Sequence, residues 1–281
     1  MKIRIMTDST CDLNPEYLRQ HDVTVIPLTV TLDGKDYVDD GVSLTPEDIF
    51  RAVAGGSDLP KTSAVNTASY REAFRACMKT CDAIIHFAIG AEFSSCHANA
   101  VAAAKGLPVY CVDTRNLSSG IGLLVAEAVD MVEAGCESPE AIVEHIHGML
   151  DKVDCSFVLN RLDYLHKGGR CSMVAMLGAN MLHLKPCIEV QDGKMVVGRK
   201  YRGSYERCLK QYIEDRLHNS GTVNPKRAIL VHTGIQPETV AHVRAVIEST
   251  FRFDELLETR AGSTISSHCG DTTLGLMFVR N

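Results

Sequence analysis

Ala83-Ile84-Ile85-His86-Phe87-Ala88 is an apolar run of strand length. A polar turn separates it from the small-residue stretch Ser94 to Lys105, and Val109-Tyr110-Cys111-Val112 follows. Strand, helix and strand in that order form the unit whose two strands pair in parallel. The alternation continues on both sides. Upstream, Ile3-Arg4-Ile5-Met6 ends in the polar turn Thr7-Asp8-Ser9-Thr10. Val23 to Leu32 is rich in β-branched residues, and Asp33-Gly34 marks a hairpin into Lys35-Asp36-Tyr37-Val38. Thr45-Pro46-Glu47-Asp48 opens a helix with an N-cap, a proline in the first turn and acids beside it. Downstream, Ile121, Leu124, Val125, Ala128 and Val132 form a helical stripe, and Ser138-Pro139-Glu140 starts one more helix. Such a half is a parallel α/β domain whose loops collect at the carboxyl ends of its strands.

Near Asp154 the pattern changes. Pro186 to Val190 and Met195 to Lys200, joined at Asp192-Gly193, predict a second hairpin. Helical segments at Ser204–Leu217 and Pro237–Ser249 flank an apolar run at Ala228–His232, and strands return around Glu255–Thr259 and Met277–Val279. The expected fold class is α/β in two domains. Residues 1–154 form the parallel α/β domain, and 155–281 form an α+β domain with a mixed sheet.

Composition narrows the function classes. A chain of 281 residues with 45% hydrophobic and 23% charged residues is ordinary globular material, long enough for two domains. Its 29 Lys and Arg against 35 Asp and Glu leave a charge of −6, which argues against a nucleic-acid partner. No stretch of about 20 apolar residues is present to span a bilayer, and the N-terminus reaches Asp8 too soon for a signal peptide. A cytoplasmic location is expected. The eleven cysteines are scattered without a Cys-x-x-Cys, as free thiols in a reducing compartment would be. His145 and His147 stand two apart in a helical segment and face different ways, so no metal is expected. No cofactor is expected either. Gly120-Ile121-Gly122 lacks the third glycine of a dinucleotide loop, Val125 standing in its place, and helix packing explains both glycines better.

Hydroxyl groups supply the chemistry. Thr7-Asp8-Ser9-Thr10, Lys61-Thr62-Ser63 and Ser94-Ser95 read as turns at strand ends, where hydroxyls and free backbone N–H groups can cradle an anion. Gly168-Gly169-Arg170 adds a planar cation on a permissive backbone. His268 lies in the hydroxyl-rich run Ser263-Thr264-Ile265-Ser266-Ser267-His268. Ser94, His268 and Asp8 can also be drawn as a hydrolase triad, although Ser94 lacks the Gly-x-Ser-x-Gly elbow. A serine-dependent lipid hydrolase or acyltransferase is therefore the alternative reading.

Taken in order, Thr7-Asp8-Ser9-Thr10, Lys61-Thr62-Ser63, Phe93-Ser94, Val112-Asp113-Thr114, Leu165 to Arg170, Lys185-Pro186 and Ile265 to Gly270 resemble the DegV family over nearly the whole chain. These are bacterial fatty-acid-binding proteins that serve as the lipid-carrying subunit of fatty acid kinase. The resemblance implies two α/β domains with a long-chain fatty acid buried between them. It also implies a non-catalytic role in phospholipid metabolism, with a kinase catalytic subunit as partner and transient membrane contact for lipid exchange. Thr62, Ser63, Ser94, Ser95, Arg170 and His268 become the expected ligand-binding residues. The neighbours depart from the family pattern at Val65, Asn66, Cys96, His97 and Asp271.

The stretch Cys171–Leu184 is apolar on nearly every face of a predicted helix, and Met173, Met176, Leu177 and Met181 are the candidates to line an acyl tunnel. At about 0.8 kcal/mol per buried methylene, burial of the tail outweighs the few hydrogen bonds to a carboxylate. Two further expectations follow. Asp271, three residues after His268, is placed to raise the pKa of that histidine. Arg199, Lys200 and Arg202 form the densest basic cluster, a candidate kinase-docking point.

Overall fold

The computed structural model describes residues 1–171, 184–218 and 223–281. Its first half runs β1 (Ile3–Asp8), α1 (Pro15–Gln20), β2 (Thr24–Ile26), β3 (Thr29–Leu32), β4 (Lys35–Val38), α2 (Pro46–Ala54), β5 (Lys61–Ser63), α3 (Thr67–Cys77), β6 (Ala83–Ala88), α4 (Cys96–Ala104) and β7 (Val109–Asp113). The helices α5 (Ser119–Glu133) and α6 (Pro139–Met149) lead into β8 (Val153–Val158) and α7 (Asp163–Gly168). After residue 183 come β9 (Leu184–Gln191), β10 (Lys194–Arg202), α8 (Tyr205–His218), β11 (Val223–Thr233), α9 (Pro237–Thr250), β12 (Glu255–Arg260), α10 (Ser263–Cys269) and β13 (Thr273–Arg280).

Three sheets result. One is four-stranded and fully parallel, ordered β2-β1-β6-β7. The second is six-stranded and mixed, ordered β10-β9-β8-β13-β11-β12, with β11–β12 as its parallel pair. A small antiparallel sheet, β4-β3-β5, completes the set. The two-domain α/β architecture, with its parallel and mixed sheets, is that expected from the sequence. The expected boundary at 154 falls inside β8, the first strand of the mixed sheet.

Both hairpin signals form as read. Asp33 and Gly34 have φ of 51° and 77°, and Asp192 and Gly193 have φ of 52° and 74°, the paired positive values of a two-residue hairpin turn. The β-branched stretch Val23 to Leu32 holds two strands, divided at Pro27, which has no N–H to continue a ladder. β2 pairs with β1 in the parallel sheet, and β3 turns away into the small one.

α5 is the central helix, in contact with β1 and with β8, β11 and β13. Almost every residue from Ser119 to Val129 is buried, so the expected one-sided stripe becomes burial all round. Its glycines permit that fit. A Cβ at Gly120 would meet Asn116 Oδ1 at 2.7 Å, and one at Gly122 would meet the Cys11 carbonyl at 3.0 Å. The apolar interior is continuous around this helix, joining Ile5, Ile85 and Phe87 on one side to Cys155, Phe157, Ile229 and Met277 on the other. Residues 172–183, which include the tunnel candidates Met173, Met176, Leu177 and Met181, lie outside the described residues. Leu184, the expected end of that helix, opens β9 instead.

Candidate functional site

Loops at the carboxyl ends of the parallel strands meet the mixed sheet at a cleft of about 150 Å³. Leu28 follows β2, Ile89, Phe93, Ser94 and Ser95 follow β6 and Leu117 follows β7, while Phe157, Leu165, Arg170, Met195 and Ile265 face them from the second half. Its polar lining consists of Thr62, Ser94, Ser95, Arg170, Thr264 and His268; the rest is apolar save for Cys269. Five of the six expected ligand residues therefore share one cavity.

Ser63 is the exception. Lys61-Thr62-Ser63 is not a turn but the short strand β5, paired in the register Val30↔Thr62. Successive side chains of a strand point to opposite faces. With Thr62 half-buried on the cleft side, Lys61 and Ser63 are exposed on the other.

Thr62 Oγ1 lies 2.8 Å from His268 Nε2, a hydrogen bond between residues 206 apart in sequence. His268 is packed so closely on Gly168 that a Cβ there would stand 2.5 Å from its Nδ1. Arg170 Nη1 donates to the Gly168 carbonyl at 2.7 Å, made possible by the left-handed turn at Gly169 (φ 68°) that ends α7. Ser94 Oγ accepts from the Cys96 amide at 3.3 Å just before α4.

Burial, and secondarily the charge of Arg170, push the His268 pKa down to about 4. The expectation that Asp271 protonates this ring is overturned. Asp271 faces Arg161, 3.8 Å away, and the ring is neutral near pH 7. The arithmetic of linkage gives a sign: neutral in the fold but protonated when unfolded, His268 costs the protein stability as pH falls from about 6.5 to about 4. NMR of the ligand-free protein should show no His268 titration between about pH 5.5 and about 8; an inflection inside that window would contradict the burial.

The triad alternative finds no geometry. Asp8 is fully buried, accepting from Thr10 and from the Ile89 amide at 3.0 Å, with its pKa raised to about 6 by desolvation. His268 points to Thr62, and Ser94 donates to Cys96 Sγ at 3.2 Å.

The first hydroxyl turn is likewise used elsewhere. Ser9 donates to Asp39 at 2.9 Å, and the side chains of Asp12 and Asp39 grip the start of α10. Asp12 accepts from the Gly262 amide at 2.7 Å and from the Ser118 hydroxyl at 2.6 Å. Asp39 accepts from the amides of Ser263 at 2.9 Å and Thr264 at 3.2 Å. This clamp positions His268 and Ile265. Nothing in the local spacing of Asp12 and Asp39 announces it. Thr264 is a further lining residue missed from the sequence, its hydroxyl buried without a partner among the described residues.

Among the described residues no group of three or more His, Cys, Asp or Glu is placed to hold a metal ion, and no helix is long and apolar enough to cross a membrane. A family profile described as DegV matches residues 2–281. The chain belongs to the DegV family. It is 29% identical over 281 residues to a DegV domain-containing protein of Caldanaerobacter subterraneus, covering 99% of this chain and 98% of that one. The structure of a DegV family protein from Thermus thermophilus, titled for its fatty acid binding, superposes with a TM-score of 0.91 at 29% identity, covering both chains fully. A stearic acid-binding protein of Eubacterium ventriosum superposes at 0.86 with 27% identity, covering 99% of this chain and 98% of that one. In this DegV chain, the cleft between the parallel and mixed sheets is thus set in a fold shared along its whole length.

Proposed function

We propose that this DegV protein carries a long-chain fatty acid between residues 1–154 and 155–281 and presents its carboxyl group, at the cleft mouth, to a kinase that forms the acyl phosphate. The observation that carries the reading is that Thr62, Ser94, Arg170 and His268, from four separate stretches of the chain, line one cavity whose other walls are largely apolar. Arg170 supplies charge, the two hydroxyls and the neutral imidazole supply hydrogen bonds, and the apolar walls take the tail. That relatives in the family are described as binding fatty acids supports it. Eleven free cysteines suit a cytoplasmic setting, with lipid exchanged in passing contact with the membrane. Native and denaturing mass spectrometry of the purified protein tests the carrier directly. A fatty acid released on denaturation is expected; an adduct remaining on Ser94 would point to acyl-enzyme chemistry instead.

Thr62→Ala and Ser94→Ala should each weaken binding of hexadecanoic acid about two- to five-fold, because tail burial is untouched. Phosphorylation by a bacterial fatty acid kinase catalytic subunit should fall further, since a loose carboxyl group is poorly presented. Parent-like behaviour in both assays would place the carboxyl elsewhere.

For kinase docking, all three side chains of the basic cluster are exposed, but one is engaged. Arg199 is paired to Asp215 at 2.5 Å and stacked over Tyr201, which leaves Lys200 and Arg202. Arg202→Glu is expected to raise the apparent Michaelis constant for the kinase while lipid content stays constant. Unchanged kinetics across a salt series would remove Arg202 from the interface.

A further inference from the structure

The β9–β10 hairpin reaches past the strand that supports it. Among the described residues, β9 pairs with β8 only from Val158↔Cys187 to Ser156↔Glu189, although β8 begins at Val153. Beyond Glu189, Val190 and Gln191 pair only with Met195 and Lys194, around the turn at Asp192-Gly193. The tip therefore overhangs the mixed sheet as a two-stranded ribbon, which is marginally stable without further support. Its base is fixed. Arg216 Nη1 lies 3.2 Å from Glu189 Oε1, and the β10 register slips between Val197 and Lys200. Inside that slip, a Cβ at Gly198 would run into the Glu189 carboxylate. A strand bends at such a bulge.

The tip stands between two spaces. In front, Met195 lines the cleft of about 150 Å³. Behind, a polar cavity of about 260 Å³ is lined by the tip from Glu189 to Gly193 and by the uncovered start of β8, Val153 to Cys155. Pockets for drug-sized ligands run to about 300–1,000 Å³, so a wall of this cleft must yield to admit a long acyl chain. Charge holds the tip to the first half of the chain. Asp192 Oδ1 lies 3.7 Å from Arg115 Nη2, and Lys194 Nζ lies 3.9 Å from Glu92 Oε2, both of the latter largely exposed. Glu92 follows β6 and Arg115 follows β7, in the loops that carry Phe93 and Leu117 to the cleft. Arg115 is anchored in turn on Asp151 at 2.6 Å. Exposed pairs of this kind shift an equilibrium by no more than about five-fold, enough to bias a position and too little to lock it.

We infer that the hairpin tip, residues 190–196, is the moving wall of the cleft. It is a flap that swings back toward the polar cavity to admit an acyl chain, and the Lys194–Glu92 and Asp192–Arg115 pairs latch it shut. The inference rests on the fatty-acid reading and adds the gate through which that ligand passes. A latch of this kind sets the open fraction of the free and the loaded protein alike, so it acts on entry and exit together.

The test follows entry and exit of cis-parinaric acid, a fluorescent 18-carbon acid, by stopped flow. Glu92→Lys and Lys194→Glu each turn an attracting pair into a repelling one. Both are expected to speed association and dissociation about two- to five-fold, with affinity held within about two-fold. The double variant with the two charges exchanged should return to parent rates. Parent rates should rise with salt between about 0.05 and about 0.5 M. Simple attraction of an anionic ligand by surface charge would instead shift association in opposite directions in the two single variants, and that result would overturn the latch. Amide hydrogen exchange needs no variant. Amides of residues 190–196 should exchange faster than those of Cys187 to Glu189 in the ligand-free protein, and slow about ten-fold with hexadecanoic acid bound. Equal protection of the two segments, unchanged by that acid, would overturn the flap while leaving the carrier reading intact. Failure of both acids to bind would overturn the carrier reading, and this inference with it.

Discussion

Asp39→Ala is expected to cost about 3 kcal/mol of stability and to abolish tight ligand binding together. The side chain is buried and accepts three hydrogen bonds, two from the first amides of α10 and one from Ser9. Alanine leaves those buried donors unpaired, and hydrogen bonds to a charged group are among the stronger ones. For a chain of this size, that loss lowers the melting temperature by roughly 6–12 °C. Because α10 carries His268 and Ile265, the cleft should loosen in step.

Asp12→Asn should do the opposite at alkaline pH. Burial raises the Asp12 pKa to about 8, so the folded protein holds a proton there that the unfolded chain has lost. Stability from this group is therefore fully present below about pH 4 and is lost as pH rises through about 8. Asparagine can accept from Gly262 and donate to Ser118, and it tolerates the left-handed backbone at this position (φ 49°). Thermal denaturation should show a flatter pH profile between about pH 6 and 8 and a melting temperature about 5 °C higher at pH 8.5. A steeper profile, or a parent-like fold and affinity in Asp39→Ala, would show that the two acids do not hold this helix.

The second large effect is expected from the smallest change, Gly168→Ala. The new methyl group would stand 2.5 Å from His268 Nδ1, and the ring must swing away from Thr62 to relieve it. Two members of the polar end are then misplaced at once. Binding of hexadecanoic acid should fall at least about ten-fold, against the two- to five-fold expected for Thr62→Ala alone. The melting temperature should move by no more than about 2–4 °C, because the substitution lies at the last residue of α7, where alanine favours the helix. Affinity within about two-fold of the parent would mean that His268 can shift without consequence, and that Thr62 does not depend on it.

These effects separate what the chain announces from what the fold creates. The hairpins at Asp33-Gly34 and Asp192-Gly193 were legible because paired left-handed conformations are a local property of those residue types. The parallel sheet was legible for a similar reason: Ala83–Ala88 and Val109–Asp113 are apolar runs on either side of a helix, and their crossover forces the pairing. Thr62, Ser94, Arg170 and His268 stood out as polar groups beside strand or helix ends and through their order along the chain. The three-residue strand β5 was not legible, since so short an edge takes its structure from β3 rather than from its own pattern. That pairing alone turned Ser63 away from the cleft.

Sequence by itself determined the α/β class, the hairpins, the parallel pairing in the first half and the residue types available to bind an anion. Only the tertiary structure decided which of those residues meet, that His268 is neutral and that Asp12 and Asp39 hold α10. The reason is physical. Backbone conformation and hydrophobic periodicity are set by near neighbours, whereas desolvation and hydrogen-bond satisfaction depend on groups brought together from 200 or more residues away, as Thr62 and His268 are.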